Sequence, residues 1–250
     1  MFYYYGAKNI LSKYYPAPSH DLIIEPFAGS GAYSCRHLLQ NSNLRSILCD
    51  KNDDVAEAWD FILHCSENDI INFKKPKIGD YAHDFLIKTC SVSNASSKCK
   101  KMKYSKRIDK VFEAQKRRML KFLPIRSRIS FLHCDYKELD NELATWFVDP
   151  PYQVIDNNTK TVFKNGNGYS YGCDSNSINY AKLSRYCLDR NGQVIVCEKS
   201  GADWLPFEGF AENKTSLNKK YREVLYYREN NEVQEQNDFL GEHVLTTGDD

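Results

Sequence analysis

Asp149, Pro150, Pro151 and Tyr152 follow directly on the apolar run Thr145–Val148. Two consecutive prolines stop a strand and hold its backbone, and neither carries an N–H. An aromatic amine has two hydrogens to place, and the Asp149 carboxylate with the Pro150 carbonyl offers two acceptors for them. Held in this way the nitrogen gains electron density, and its lone pair is aimed towards an electrophilic carbon. Tyr152 supplies a ring on which a planar base can stack. The plain alternative is a strand stop and a turn, which is the ordinary work of a Pro-Pro pair.

Three further segments put acids or glycines at the ends of apolar runs, where open α/β sheets bind ligands. The first is Glu25-Pro26-Phe27-Ala28-Gly29-Ser30-Gly31. Its glycines let backbone approach a ligand closely, and the helix that follows offers N–H groups at its start. Asp50 stands 19 residues beyond Gly31, placed to accept from both ribose hydroxyls. Gly29, Gly31 and Asp50 also fit a dinucleotide site, although Ser34 stands where the third glycine of that fingerprint falls. Asp135 ends another run and suits either an adenine amine or the cap of the turn Tyr136–Leu139. Asp50 has the same capping alternative.

These positions need a frame of strands and helices. The pattern predicts strands over 21–25, 45–50, 128–134, 145–148, 193–197 and 223–227. It predicts helices over 32–40, 53–65, 104–123 and 178–188. The second of these carries Val55, Trp59, Ile62 and Leu63 on its apolar face. Strands alternating with helices imply an α/β fold, a doubly wound and mainly parallel sheet. The polar stretch 91–98 and the Gly, Asn and Ser-rich stretch 153–177 read as loops.

Composition narrows the setting. Apolar residues make up 42% and charged residues 27%, the balance of an ordinary globular chain. Nine cysteines without a CxxC pair point to reduced thiols in an intracellular protein, with neither a disulfide framework nor a metal site. Residues 1–8 lack the basic and apolar parts of a signal peptide, and no stretch is apolar for the ~18 residues of a membrane span. A cytoplasmic monomer, in the host cell if the protein is viral, is the expectation. The formal net charge of +1 conceals an uneven distribution. Between Lys74 and Arg128 there are 17 Lys and Arg against 4 Asp and Glu. A concentration of positive charge is what phosphate backbones attract.

The tetrad Asp149–Tyr152 downstream of Phe27–Gly31 resembles the Dam-like adenine-N6 DNA methyltransferases, in the short form seen in phages. The resemblance covers about Tyr4 to Tyr227. It implies a Rossmann-like catalytic domain over 1–73 and 124–230, and a small basic, mostly helical insert over 74–123 that recognises the target or contacts DNA. An acidic tail, 231–250, completes the chain. The donor implied is S-adenosylmethionine. Glu25, Phe27, Ala28, Gly29 and Gly31 would line it, Asp50 would bind its ribose and Asp135 its adenine. Tyr5, Gly6 and Lys8 resemble the motif that contacts its methionine end. Asp149, Pro150, Pro151 and Tyr152 would be catalytic. Lys98, Lys100, Lys101, Lys103, Arg107, Arg117 and Arg118 would hold the nucleic-acid backbone, with Phe163, Tyr169 or Tyr171 gripping a flipped base. The insert is short and lysine-rich beside typical members, and the segment after the tetrad departs from the Dam pattern. The stretch 193–207, with Glu198 and Trp204, is similar to phage-type methylases. The same tetrad chemistry serves RNA, and a non-catalytic subunit of a larger methylase or a dinucleotide-dependent oxidoreductase are the readings from other classes. The target sequence and the biological role, whether restriction-modification, evasion of defence or marking, stay open at this level.

Overall fold

The computed structural model describes Lys8 and residues 11–72, 108–153, 178–214 and 220–229. In chain order the strands are β1 (Leu22–Glu25), β2 (Arg45–Cys49), β3 (Ile129–Leu132), β4 (Ala144–Val148), β5 (Gly192–Lys199), β6 (Glu208–Lys214) and β7 (Lys220–Glu229). The helices are α1 (Ala32–Gln40), α2 (Asp53–His64), α3 (Glu67–Ile71), α4 (Ile108–Phe122) and α5 (Tyr180–Leu188). The strands form one sheet in the order β3-β2-β1-β4-β5-β7-β6. β1 to β5 are parallel, while β7 runs antiparallel to both β5 and β6.

Strand side chains alternate across the sheet, because successive residues point to opposite faces. Ile23, Leu48, Phe147 and Ile195 enter one core, with Tyr33 and Leu38 of α1, Trp59 and Ile62 of α2, and Met119 and Phe122 of α4. Leu22, Ile24, Trp146, Val148, Val194 and Val196 enter the other, with Leu183 and Cys187 of α5. All five residues of β4 are buried. A strand covered on both faces reads as a continuous apolar run. The sheet is therefore mainly parallel, with helices on both faces, as the alternation of elements predicts. The last turns of α4 belong to the same core as α2, so this half of the expected basic insert packs on the body of the sheet.

Two elements have no counterpart in the sequence reading. β6 pairs with β7 alone, with a register shift between Gly209 and Ala211, and its sequence EGFAENK has no apolar alternation. α3 is short, but its signal was present. Ser66 caps it and Asp69 returns the bond, a capping box at the S-x-x-D spacing. Among the described residues no helix is long and apolar enough to cross a membrane, and no group of three or more His, Cys, Asp or Glu could hold a metal ion.

Part of the basic segment is spent inside the fold. The Arg128 guanidinium donates to the carbonyls of Leu38 at 2.6 Å, Asn41 at 2.8 Å and Leu44 at 2.9 Å, just beyond and within the last turn of α1. Lys116 donates to the Ile71 carbonyl at 2.6 Å, and Arg126 donates to the Cys65 carbonyl. Helix C-termini leave carbonyls without partners in the helix, and cations there meet both the lone pairs and the dipole. Arg128→Ala should lower the unfolding free energy by about 2–4 kcal/mol, since charge-assisted bonds contribute more than neutral ones. Exposed Arg117→Ala should change it by less than about 0.5 kcal/mol. Urea denaturation of both variants checks this, and equal effects would show that Arg128 is an ordinary surface cation.

Candidate active site

β1 to β4 are parallel, so their C-terminal ends share one edge of the sheet. The strand order reverses between β1 and β4, and the crevice at such a switch point is where open α/β sheets bind ligands. Glu25 is the last residue of β1, Asp50 follows β2, Asp135 lies just beyond β3, and Asp149 follows β4. The structure thus brings the predicted acids to one edge.

The glycine turn is built tightly. Gly29 and Gly31 have φ of 47° and 58°, in the left-handed region that costs other residues roughly 1–2 kcal/mol. A Cβ on Gly31 would also stand 2.8 Å from the Trp59 ring and 3.0 Å from Leu48. The turn's own polar groups are engaged. Gly29 N–H donates to Asp50 Oδ2 at 2.9 Å, Gly31 N–H to the Ala28 carbonyl at 2.7 Å, and the Trp59 indole N–H to the Gly29 carbonyl at 2.8 Å. Asp50 Oδ1 accepts from Asn52 N–H at 3.0 Å. Burial pushes the Asp50 carboxyl up and these two N–H groups draw it back. A carboxylate has about four lone-pair positions, so Asp50 has capacity left for hydroxyl donors such as those of a ribose.

Glu25 is buried and accepts from Ser34 N–H at 2.7 Å, in the first turn of α1. Ser34 itself is buried and meets the Ser46 hydroxyl at 2.8 Å. Phe27 lies against Tyr136, ring centroids 5.1 Å apart. Asp135 takes the capping role. Its side chain accepts from Lys137 N–H at 3.2 Å, and Glu138 returns a bond of 2.8 Å to Asp135 N–H. Lys51 and Lys137 stand 3.7 and 3.5 Å from its oxygens.

At the tetrad, Asp149 meets Lys8. The Lys8 ammonium is 3.0 Å from Asp149 Oδ1 and 3.8 Å from Glu223 Oε1 of β7. It donates to the Tyr152 hydroxyl and lies 4.6 Å from the centre of that ring. Tyr15 donates to Glu223 from the far side. Lys8 and Glu223 are buried. Burial alone would lower the Lys8 pKa, but the Asp149 and Glu223 carboxylates reverse this and hold it above the usual lysine range. Burial raises the Asp149 carboxyl, opposed by Lys8 and Tyr152. The family resemblance links Lys8 to the cofactor's methionine end, and the structure brings it to the tetrad.

Beyond the tetrad, the Tyr180 hydroxyl donates to the Pro151 carbonyl at 2.7 Å, and Gln153 N–H donates to Glu198 Oε1 at 2.8 Å. Tyr15, Glu223 and Glu198 were not singled out as site residues from sequence. The signal for the two acids was available, since Glu198 directly follows the apolar run Val194–Cys197 and Glu223 directly precedes the run Val224–Tyr227. Of the expected nucleic-acid contacts, Arg117 is exposed on α4 and Arg118 is half-buried, with Nη1 of its guanidinium shielded from solvent. Tyr5, Gly6, Lys98, Lys100, Lys101, Lys103, Arg107, Phe163, Tyr169 and Tyr171 lie outside the described residues.

Compared with known families and curated proteins, the chain matches no family model and no curated protein.

Glu25 carries a pH prediction. Burial pushes its carboxyl from 4.5 up to about 7, against the bonds from Ser34. An acid whose folded pKa lies above its unfolded value stabilises the fold when protonated. That stability is complete below about 4.5 and is lost as pH rises through about 7. Between pH 5 and pH 8 the stability of Glu25→Gln should rise relative to wild type by roughly 2–3 kcal/mol. Denaturant titrations at the two pH values measure the gap, and a gap independent of pH would refute the shift.

Proposed function

We propose that this chain is an S-adenosylmethionine-dependent DNA methyltransferase acting on the exocyclic N6 amine of adenine. The observation that carries the reading is the position of Asp149–Tyr152 at the C-terminal end of β4, beside the glycine turn that ends β1. Asp149 there holds a cationic nitrogen, Lys8 Nζ, at 3.0 Å.

The donor set suits the methyl donor. Asp50 has acceptor capacity for ribose hydroxyls, and the backbone of Ala28–Gly31 passes close beside it. S-adenosylmethionine, when bound, supplies a methyl carbon made electrophilic by a sulfonium. The rest of the work falls to the chain and the substrate. The adenine leaves its stack to reach the site, at a cost of a few kcal/mol. The Asp149 carboxylate and the Pro150 carbonyl accept the two amine hydrogens. Tyr152 and the prolines set the plane in which the base is received. Transfer to the methyl carbon would need the amine lone pair aimed at it, and these two acceptors would hold it so. The proton that the amine must lose on methylation would pass to the Asp149 carboxylate. No covalent enzyme intermediate forms, so rate comes from positioning and preorganised acceptors. Exposed Arg117 and Lys121 on α4 supply cations for the phosphate backbone, which positions DNA without specifying a sequence.

Incubation with unmethylated DNA and methyl-labelled donor, followed by digestion to nucleosides, should give labelled N6-methyladenine. Asp149→Asn should lower transfer at least ~100-fold, the scale of losing one preorganised polar contact to a transition state. Its affinity for the donor, measured by calorimetry, should stay within about threefold of wild type. Transfer retained in this variant would overturn the assignment of the tetrad. Label in RNA and none in DNA would move the substrate to RNA.

A further inference from the structure

The prolines of the tetrad have no N–H, so its backbone is tied through carbonyls and through the N–H groups that follow. Two described bonds do this. Tyr180 holds the Pro151 carbonyl at 2.7 Å, and Glu198 holds Gln153 N–H at 2.8 Å. Between these two anchors lies Tyr152. The Pro150 carbonyl, one peptide before the first anchor, is aimed by the same stretch of chain.

Glu198 is fully buried near the end of β5. β4 and β5 are paired in parallel up to Val148 and Val196, so Glu198 stands level with the start of the tetrad. Its side chain shares the sheet face of Val194 and Val196. Three N–H donors converge on it. Oε1 accepts from Gln153 N–H at 2.8 Å and from the Trp204 indole at 3.1 Å, and Oε2 accepts from Lys199 N–H at 2.7 Å. A glutamine has one oxygen and two hydrogens of its own, so it cannot accept from donors on both sides. An apolar residue would strand three donors, and each unsatisfied buried group costs about 1–3 kcal/mol. The arrangement thus calls for a carboxylate, although burial pushes its pKa up to about 7 against these three bonds.

The first anchor leads to the same place. Trp204 packs against Tyr180, ring centroids 5.6 Å apart, and against Phe207 at 5.1 Å. Gln153 Oε1 also accepts from Asp203 N–H at 3.4 Å. Pro151, Tyr180, Trp204, Glu198 and Gln153 therefore form a closed bracket around Tyr152. None of these groups other than Pro151 belongs to the tetrad.

We propose that Glu198 is a positioning residue for the transfer, whose carboxylate ties the chain leaving the tetrad to the Trp204 segment and so aims the Pro150 carbonyl and the Tyr152 ring. This rests on the methyltransferase reading, because it assigns the tetrad the task of holding the amine. A misplacement of about 1 Å in such a site lowers rate by about 100-fold without abolishing binding. Loss of the bracket should therefore appear in kcat, while the donor site beside β1 and β2 is undisturbed.

The test combines hydrogen exchange, which needs no substrate, with kinetics. In Glu198→Ala the Gln153 amide should exchange at least ~10-fold faster, while the amides of β1 keep their protection. Its kcat should fall about 10- to 100-fold, with KM for donor and DNA changed less than about threefold. Glu198→Gln retains one oxygen for the Gln153 side and should fall between the alanine variant and wild type in kcat. Unchanged protection of Gln153 in the alanine variant overturns the proposal, as does lost protection with wild-type kcat. If β1 in the alanine variant also loses protection, Glu198→Gln decides, and a wild-type kcat there overturns it. Wild-type protein that binds the donor yet transfers no methyl group is a separate result, which retires the methyltransferase reading and the positioning role with it.

Discussion

Lys8 carries its ammonium into the space between the Asp149 carboxylate after β4 and the Glu223 carboxylate in β7. Lys8 and Glu223 lose their hydration there and Asp149 much of its own, at a cost of several kcal/mol per ion, which the attraction between them offsets. The segment before β1 is thereby bound to the middle of the sheet, between strands that the chain order separates widely. Tyr15 reaches Glu223 from the same segment, stacks on Phe210 of β6 at 4.9 Å and meets Phe147 of β4 edge-on at 5.1 Å. One lysine faces two acids beside the tetrad. Under the methyl-transfer reading, that is the balance suited to a nitrogen that turns cationic as it is alkylated.

Much of the frame was legible because apolar runs and helix periodicity are local. Leu22–Ile24 and Trp146–Val148 lie between two cores, so both runs are apolar throughout, and Glu25 and Asp149 directly after them mark the edge where the strands stop. β6 escaped because it is an edge strand whose pairing with β7 is dictated by the partner and whose side chains show no period. The site divides in the same way. Asp149, Glu25 and the glycine turn are contiguous motifs. The Lys8–Asp149–Glu223 trio joins positions 8, 149 and 223, and no local pattern reports such a meeting. Glu198 and Glu223 each stand directly against an apolar run, which states that a buried partner is needed without naming it.

Charge read along the chain overstates charge available at the surface. Arg128, Arg126 and Lys116 fall in the basic segment, yet each donates to a backbone carbonyl near the end of a helix. Asp135 shows the counterpart for acids. Its carboxylate caps the turn at Tyr136 and is flanked by Lys51 and Lys137. Both cases follow from one rule, that helix ends and turns must satisfy their backbone groups somewhere. A cation or acid within reach of such an end is drawn into structure first, and only the remainder can face a ligand.

The glycine turn separates the two cofactor readings more sharply than its sequence does. A dinucleotide's pyrophosphate sits on N–H groups of a glycine turn and on the start of the following helix, both left open to an anion. Here Gly29 N–H is given to Asp50 and Gly31 N–H to the Ala28 carbonyl. In the first turn of α1, Ser34 N–H is given to the Glu25 carboxylate. These three donors are taken, two of them by the carboxyl groups of Asp50 and Glu25, so a diphosphate would meet acceptors there. A ligand with no phosphate, with hydroxyls to donate and with a positive centre meets acceptors instead. The antiparallel β7 between β5 and β6 also departs from the 3-2-1-4-5-6 order of the dinucleotide-binding fold. These bonds at the end of β1 support the proposed sulfonium donor over a nicotinamide dinucleotide, independently of the tetrad.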